Sequence, residues 1–217
     1  MRDRWYGDNR DLIKWGGIKI LCSENKINKV LWVAYLRDDQ WTKIGFDDHP
    51  TPFIVPDKVL HHFKSIRQNM DRLRENIDLD IILVDDEINN VHYSCQNRDE
   101  YTKSFCKYIE NNAEGNKVVF WDPDTGLESN KLKVTQVSED EIKDIWKSLR
   151  EDDYLVFYQH RPRFSDANWR EKTKQKLAST ICESKEKIKM WFADESINND
   201  SANLARDVVF YFIKKVV

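Results

Sequence analysis

The sequence has few glycines and no glycine-rich phosphate loop. Only six of its 217 residues are glycine, less than half of the usual share of about 7%. None stands in the Gly-x-Gly-x-x-Gly pattern of dinucleotide sites, in the phosphate loop Gly-x-x-x-x-Gly-Lys-Ser/Thr or in the Gly-x-Ser-x-Gly turn of α/β-hydrolases. These absences argue against an ordinary dinucleotide, ATP or α/β-hydrolase site.

Cysteines and long apolar runs are also scarce. The four cysteines lie far apart and form no Cys-x-x-Cys pair, which favours reduced thiols. The longest apolar runs, such as residues 30–36, fall far short of the roughly 20 residues needed to cross a bilayer, and the first residues lack an apolar signal core. We therefore expect a cytoplasmic protein without a membrane segment, folded as one domain over residues 1–217.

Neither sign of charge dominates the sequence. The chain has 35 basic and 38 acidic residues, for a formal net charge of −3, and 12% of its residues are aromatic. The aromatic content demands a buried core and excludes a disordered chain. The charge balance gives no global attraction to nucleic acid, so any site for a polyanion must be local.

Short apolar runs alternate with charged helical stretches, a pattern typical of α/β proteins. Strands are predicted at residues 29–36, 80–85, 117–121, 154–158, 187–192 and 206–213. Helices are predicted at residues 11–22, 57–76, 99–112, 138–150 and 165–180. This order predicts a mostly parallel sheet of six or seven strands with helices on both faces, as in doubly wound folds.

Three local signals refine this fold. Ser138 and Glu141 stand before an apolar stripe, which predicts a capping box at a helix start. The polar segment 193–204 shows no helical pattern, so the last two strands should form an antiparallel hairpin that closes the sheet. Segment 40–56 holds three prolines and is predicted to be a surface loop. Ligands of such sheets bind beyond the carboxyl ends of the strands, so functional residues should follow strands.

Two carboxylates follow the strand predicted at residues 117–121. Asp122 and Asp124 lie on a Pro/Gly turn, and Glu128 comes soon after them. Carboxylates in this place can bind Mg²⁺, orient a ribose or an amine, or act as a general base. The alternative is structural: Asp122 caps the turn and Asp124 is solvated.

The strand predicted at residues 154–158 also runs into polar groups. His160 exchanges protons near neutral pH, and Arg161 and Arg163 can fork onto phosphate or carboxylate. Between residues 161 and 176, six basic side chains face two acidic ones. This run, Arg161–Lys176, is a candidate contact for a nucleic-acid backbone, and a solvated helix face is the alternative.

Asp8, Asp11 and Lys14 precede the first predicted strand. Asp11 and Lys14 are three residues apart at a helix start, so a local ion pair is one alternative. The other is that Asp8 and Lys14 contribute to the cleft formed by the strand ends. Because the carboxyl ends of parallel strands are neighbours, we expect Asp8, Lys14, Asp122, Asp124 and His160 to converge there.

Together these motifs resemble an uncharacterised bacterial family. The family carries, in this order, Gly7-Asp8-x-x-Asp11-x-x-Lys14, Asp122-Pro-Asp124-x-Gly126-Leu-Glu128 and Tyr158-x-His160-x-x-Arg163. More distantly, the chain is similar to Rossmann-type S-adenosylmethionine-dependent methyltransferases, particularly the ribosomal-RNA adenine-N6 enzymes. In those enzymes an Asp…Lys helix precedes the first strand, and Asp-Pro-Pro-Tyr ends the fourth. Here Asp124 and Thr125 replace the second proline and the tyrosine.

The resemblance implies a nucleic-acid-directed enzyme of methyltransferase-like fold, with S-adenosylmethionine near Asp38 or Asp85 and the target base near Asp122. The catalytic candidates are Asp122, Asp124, His160 and Lys14. The candidate substrate contacts are Asp8, Asp11, Arg161, Arg163 and Glu128. A second hypothesis is a magnesium-dependent nuclease or phosphodiesterase that holds its metal with Asp122 and Asp124. A third is a non-catalytic binding or partner protein that retains the fold.

Overall fold

The structure, a computed structural model, describes residues 9–34, 58–59, 73, 77–88, 97–127, 135–163, 165–192 and 206–216. The helices in these ranges are α1 (Asn9–Asn25), α2 (Val84–Glu87), α3 (Arg98–Asn111), α4 (Glu139–Ser148) and α5 (Trp169–Thr180). The strands are β1 (Lys29–Val33), β2 (Asp80–Leu83), β3 (Lys117–Trp121), β4 (Gly126–Leu127), β5 (Gln136–Val137), β6 (Tyr154–His160), β7 (Lys189–Trp191) and β8 (Val208–Lys214). In the described part of the chain, no helix has the length and apolar character required to cross a membrane.

Six of the strands form one sheet in the order β2-β1-β3-β6-β8-β7. Strands β2, β1, β3 and β6 pair in parallel, and β8 is antiparallel to both β6 and β7. The α/β class and the mostly parallel sheet are therefore confirmed, as is the antiparallel pairing of the last two strands. The segments 40–56 and 193–204 and most of the helix predicted at residues 57–76 lie outside the described residues.

Several boundaries differ from the sequence prediction for local reasons. Strand β2 ends at Leu83, and the next four residues form the helical turn α2, closed by a bond from Ile88 N to Val84 O at 3.1 Å. Helix α5 begins at Trp169 and not at residue 165, because the Asp166 carboxylate accepts from Asn168 N at 3.0 Å in a preceding turn. The two-residue pair of β4 and β5 was not predicted, since it is too short to show a period.

Alternate residues of the same strands belong to two separate buried clusters. The first contains Val30, Trp32, Val118 and Phe120 together with residues of α1. The second contains Leu31, Val33, Val119 and Trp121 together with residues of α3, α4 and α5. Because neighbouring side chains on a strand point to opposite faces, each face of the sheet has its own core.

Helix α4 starts with the predicted capping box. The Ser138 hydroxyl accepts from Glu141 N at 3.2 Å, and Glu141 Oε2 accepts from Ser138 N at 2.6 Å. The same carboxylate atom is 2.7 Å from Arg98 Nη1 on α3. The cap therefore also ties α4 to its neighbouring helix.

Replacing Ser138 with alanine tests this cap. The Ser138→Ala variant should lose about 1 kcal/mol of unfolding free energy, because the Glu141 amide loses its acceptor. Urea denaturation measures the loss. Ser179→Ala, at an exposed position of α5, is the control and should change the free energy by less than about 0.5 kcal/mol. Equal effects in the two variants would mean that the cap contributes nothing.

Candidate functional site

Helix α1 brings Lys14 to the carboxyl end of β3. The Lys14 Nζ atom donates to Asp11 Oδ1 at 2.6 Å and to Asp122 Oδ2 at 2.7 Å. The three side chains, which we call the Lys14 triad, are only 3 to 4% exposed. The local ion pair of Lys14 with Asp11 is formed, and Lys14 also reaches the carboxylate that follows β3. The proposed contribution of Asp8 to the same cleft is untested, because Asp8 lies outside the described residues.

The backbone and a tryptophan fix Asp122 in this position. Asp122 N donates to Val33 O at 2.9 Å, which extends the pairing of β3 with β1 beyond Trp121. The Trp32 Nε1–H group donates to Asp122 Oδ2 at 3.2 Å. Both side-chain bonds thus reach the same carboxylate oxygen. Among the described residues, nothing forms a hydrogen bond with the other oxygen, Oδ1.

The charges of the Lys14 triad favour the ammonium form of the lysine. Burial alone would lower the pKa of Lys14, but the carboxylates of Asp11 and Asp122 outweigh it and raise that pKa above its ordinary value. The rings of Phe120 and Tyr158 lie 5.6 and 5.5 Å from Nζ and add a cation–π attraction. Because one ammonium faces two carboxylates, the triad keeps a formal negative charge.

A second polar group, the Asp207 cluster, contains Arg10, His160 and Asp207. Arg10 binds both carboxylate oxygens of Asp207, at 3.1 Å through Nε and 2.6 Å through Nη2. His160 Nε2 lies 2.9 Å from Asp207 Oδ2, and His160 Nδ1 lies 3.1 Å from Arg161 O. Both ring nitrogens are engaged, so the structure pairs His160 with Asp207 and not with Asp122. Arg10 and Lys14 are one turn apart on α1, which makes the two groups neighbours.

The contacts within the Asp207 cluster shift the pKa values of His160 and Asp207. The hydrogen bond with Asp207 raises the pKa of His160 above its ordinary value. Burial alone would raise the pKa of Asp207, but its hydrogen bonds with His160 and Arg10 outweigh this and hold that pKa below its usual range. The geometry therefore favours a charged His160 bound to a charged Asp207.

Stability should fall as the pH rises through the titration of His160. A histidine with a raised folded pKa contributes stability that is complete below its ordinary value of 6.5 and is lost as the pH passes its folded pKa. Asp207 is ionised throughout this range. Because His160 is one-third exposed, the expected loss is below about 1 kcal/mol. Urea midpoints between about pH 5 and 9 measure it, and His160→Gln should remove the dependence; a persisting dependence would assign it to another group.

The segment that follows Asp122 is held by a buried glutamine. The Gln159 amide donates to Thr125 O at 2.9 Å and to His160 O at 2.7 Å, and its Oε1 accepts from Leu127 N at 2.8 Å. Gly126 adopts a φ of +92°, and a Cβ there would collide with the Gln159 carboxamide. This glycine is therefore required both by its backbone angle and by the space that Gln159 fills.

The remaining candidate residues fall into two groups. Asp124 is described and is half-buried, between Asp122 and Thr125. Asp85 lies in α2 directly after β2, but its side chain is outside the described part of the structure. The others lie outside the described residues altogether: Asp8, Asp38 and Glu128.

The basic run at residues 161–176 is partly neutralised within the chain. Lys172 forms an ion pair with Asp166, and Lys176 Nζ lies 3.2 Å from Glu139 Oε1. Arg170 donates to a backbone carbonyl at 2.7 Å and its guanidinium lies over two aromatic rings. The basic residues at the start of the run are exposed: Arg161 and Arg163.

Sequence reasoning missed four residues of these groups. Arg10 and Gln159 stand inside the quoted motifs, so their places in those motifs were the available signal. Trp32 is hidden in an apolar strand, and Asp207 lies far from every motif in the sequence. Only the register of the sheet brings those two side chains to the site.

The described residues give no support to a preformed metal centre. Within the described ranges, no group of three or more His, Cys, Asp or Glu side chains is arranged to hold a metal ion. The Lys14 ammonium already occupies Asp122 Oδ2. Because Glu128 lies outside those ranges, magnesium binding by Asp122 and Asp124 stays a prediction.

Comparisons with known proteins do not assign a family. No protein-family model matches the chain, and no curated protein matches its sequence. The geometry of the Lys14 triad at the end of the parallel strands is therefore the basis for a functional assignment.

Proposed function

We propose that the chain is a nucleic-acid-directed enzyme of methyltransferase-like fold that methylates an exocyclic amine of a base with S-adenosylmethionine. The observation that carries this proposal is the buried Asp122 carboxylate. Lys14 and Trp32 hold it through Oδ2 alone, so Oδ1 remains as an acceptor for a substrate N–H group. In a doubly wound sheet, ligands bind at this end of the strands.

The arrangement of the sheet supports a Rossmann-like interpretation. The parallel strands β1, β3 and β6 are adjacent at the centre, and β8 is the reversed strand beside them. The two core clusters, one with α1 and one with α3 to α5, support helices on both faces. Asp122 follows the central strand β3, between β1 and β6.

The residues at the strand ends fit S-adenosylmethionine in two respects. The methyl donor carries a positively charged sulfonium, and the Lys14 triad provides a formal negative charge near the strand ends. Asp85 lies two residues after the end of β2, the strand that pairs with β1. Doubly wound folds put an acid for ribose hydroxyls at this kind of place. Asp85, with Asp38 as the second candidate, would hold the ribose.

The proposed chemistry requires an acceptor that is fixed before the substrate arrives. Asp122 Oδ1 would accept a hydrogen bond from the target amine and so orient its nitrogen toward the methyl group. As the N–C bond forms, the bond from sulfur to the methyl group breaks and a neutral thioether leaves. The positive charge that passes to the nitrogen would be stabilised strongly by a buried carboxylate because water is excluded. The nitrogen would then lose its proton to this carboxylate or to water. Lys14 and Trp32 keep the carboxylate from rotating. Their role in this proposal is to position Asp122.

The nucleic-acid contact is proposed at the exposed start of the basic run. Arg161 and Arg163 follow β6, and Asp122 follows β3. Because these two strands are parallel, all three residues come after strand ends at the same edge of the sheet. Arginine binds phosphate through two parallel N–H groups, which positions a strand without reading its sequence. The partly neutralised lysines further along the run contribute less to this contact.

Binding and transfer assays test the proposed function. Calorimetry with S-adenosylmethionine should show binding, and a labelled methyl group should pass to RNA or DNA that contains adenine or cytosine. Binding of Mg²⁺ without S-adenosylmethionine binding would overturn the proposal in favour of a nuclease or phosphodiesterase. Failure to bind either S-adenosylmethionine or Mg²⁺ would overturn it in favour of a non-catalytic protein.

A further inference from the structure

Strand β6 extends past the end of β3, and the chain after β3 fills the space that this leaves. The last pair between the two strands is Trp121 with Phe157, whereas β6 continues to His160. His160 N donates to Thr125 O at 3.3 Å. Segment 122–127 therefore lies against the end of β6 that β3 no longer covers.

The two ends of segment 122–127 are attached to different strands. At its start, Asp122 N is bound to Val33 O on β1. At its end, Thr125 O and Leu127 N are bound to the Gln159 side chain on β6. Because only two residues separate Asp122 from Thr125, we expect a shift at one end of the segment to move the other.

The attachment of segment 122–127 explains a glutamine at position 159 better than ordinary core packing does. Gln159 is 2% exposed in a strand whose flanking residues are mostly apolar. A buried carboxamide is costly unless its donors and acceptor are all satisfied. Here both N–H groups and the oxygen have backbone partners, and two of the three belong to segment 122–127.

We propose that Gln159 is a positioning residue that fixes segment 122–127 and thereby the orientation of the Asp122 carboxylate. The role of Gln159 in catalysis rests on the proposed function, whereas its role in orienting Asp122 does not. Gly126 is part of the same device, because a side chain there would displace the Gln159 amide. Displacing a catalytic group by about 1 Å can cost about 100-fold in rate.

The indole signal of Trp32 reports the position of Asp122 directly, because its Nε1–H group donates to Asp122 Oδ2. In a ¹H–¹⁵N spectrum the eight tryptophans give separate indole signals, and Trp32→Phe identifies the one required. Gln159→Leu should shift this signal and lower methyl transfer by about 100-fold, with S-adenosylmethionine affinity unchanged. Gln159→Glu keeps the acceptor for Leu127 N but sets a carboxylate oxygen against the Thr125 and His160 carbonyl oxygens. Its effect should therefore be at least as large as that of Gln159→Leu.

Controls separate positioning from general loss of structure. Ser148→Ala removes a different buried polar group, a hydroxyl bound to Asp144 O at 3.0 Å, and should leave the Trp32 signal in place. If Gln159→Leu does not fold, Gly126→Ala perturbs the same amide from the other side and should shift the Trp32 signal.

An unchanged Trp32 signal in a folded Gln159→Leu or Gly126→Ala variant would overturn the inference. It would do so even if hydrogen exchange showed that the Leu127 amide had lost its protection. Failure of the wild type to transfer methyl groups would instead count against the proposed function. The Trp32 signal would still decide whether Gln159 orients Asp122. The two failures are therefore distinguishable.

Discussion

The Lys14→Met variant should lose about 3–5 kcal/mol of unfolding free energy, because it leaves two buried carboxylates without the ammonium that both contact. Methionine fills a similar volume, so the loss reports charge more than packing. The distances of 2.6 and 2.7 Å from Nζ to Asp11 and Asp122, at 3 to 4% exposure, place this pair of contacts in the buried class. Exposed ion pairs contribute only about 0–1 kcal/mol.

Urea denaturation of Lys14→Met near neutral pH measures this loss. Because the folded pKa of Lys14 is raised, its contribution is complete below the ordinary value of 10.5 and is lost only above it. Ordinary buffers therefore leave Lys14 in its ammonium form. A loss below about 1 kcal/mol would show that Lys14 contributes no more than a surface lysine does.

A matched pair at the other end of β3 provides the control. Lys117 Nζ lies 2.7 Å from Asp153 Oδ2, and both side chains are buried. Asp153 also accepts from Lys117 N at 3.1 Å and from Arg150 N at 3.0 Å. Lys117→Met should therefore cost less than Lys14→Met, since the one carboxylate that it leaves behind keeps two backbone donors.

The pattern of apolar and polar residues was sufficient to predict the longer strands and helices. Strands β1, β3 and β6 appear in the sequence as apolar runs, and Ser138 with Glu141 marks the start of α4. The turn at Val84–Glu87 and the two-residue strands β4 and β5 were missed because they are shorter than any period that hydrophobicity can display. Loop and turn geometry here depends on single hydrogen bonds, such as that of Asp166 with Asn168.

The sequence indicated part of the candidate site, because strand ends on one side of a parallel sheet must be neighbours. This argument joined Lys14 to Asp122 across 108 positions of the sequence, and the structure places them in contact. It could not pair His160 with Asp207, since that contact depends on β8 lying next to β6 in antiparallel register. Nor could it find Trp32, whose one polar group is hidden in an apolar run.

The two buried lysine–aspartate pairs of β3 differ in how their carboxylates are used. The two oxygens of Asp153 together accept three hydrogen bonds. Two of these bonds come from backbone N–H groups and one from Lys117 Nζ. Asp122 accepts its side-chain bonds through Oδ2 only. A carboxylate at the amino end of the sheet whose two oxygens both have hydrogen-bond donors suits a structural role. A carboxylate with one available oxygen at the carboxyl end of the parallel strands suits the role in recognition that we propose.

Under the proposed function, Asp122→Asn should therefore lower methyl transfer by at least about 100-fold, because the neutral amide would no longer stabilise positive charge on the target amine. It should cost less than about 2 kcal/mol in stability, since Lys14 keeps Asp11 as its counter-ion and the amide oxygen can still accept from Trp32. The matched Asp153→Asn variant should show the reverse: lower stability with transfer retained. Denaturation and labelled-methyl transfer on both variants measure the two effects. Retained transfer in Asp122→Asn would show that the charge of Asp122 is not needed for transfer, because the amide oxygen, which keeps the shape and the acceptor, would then be sufficient.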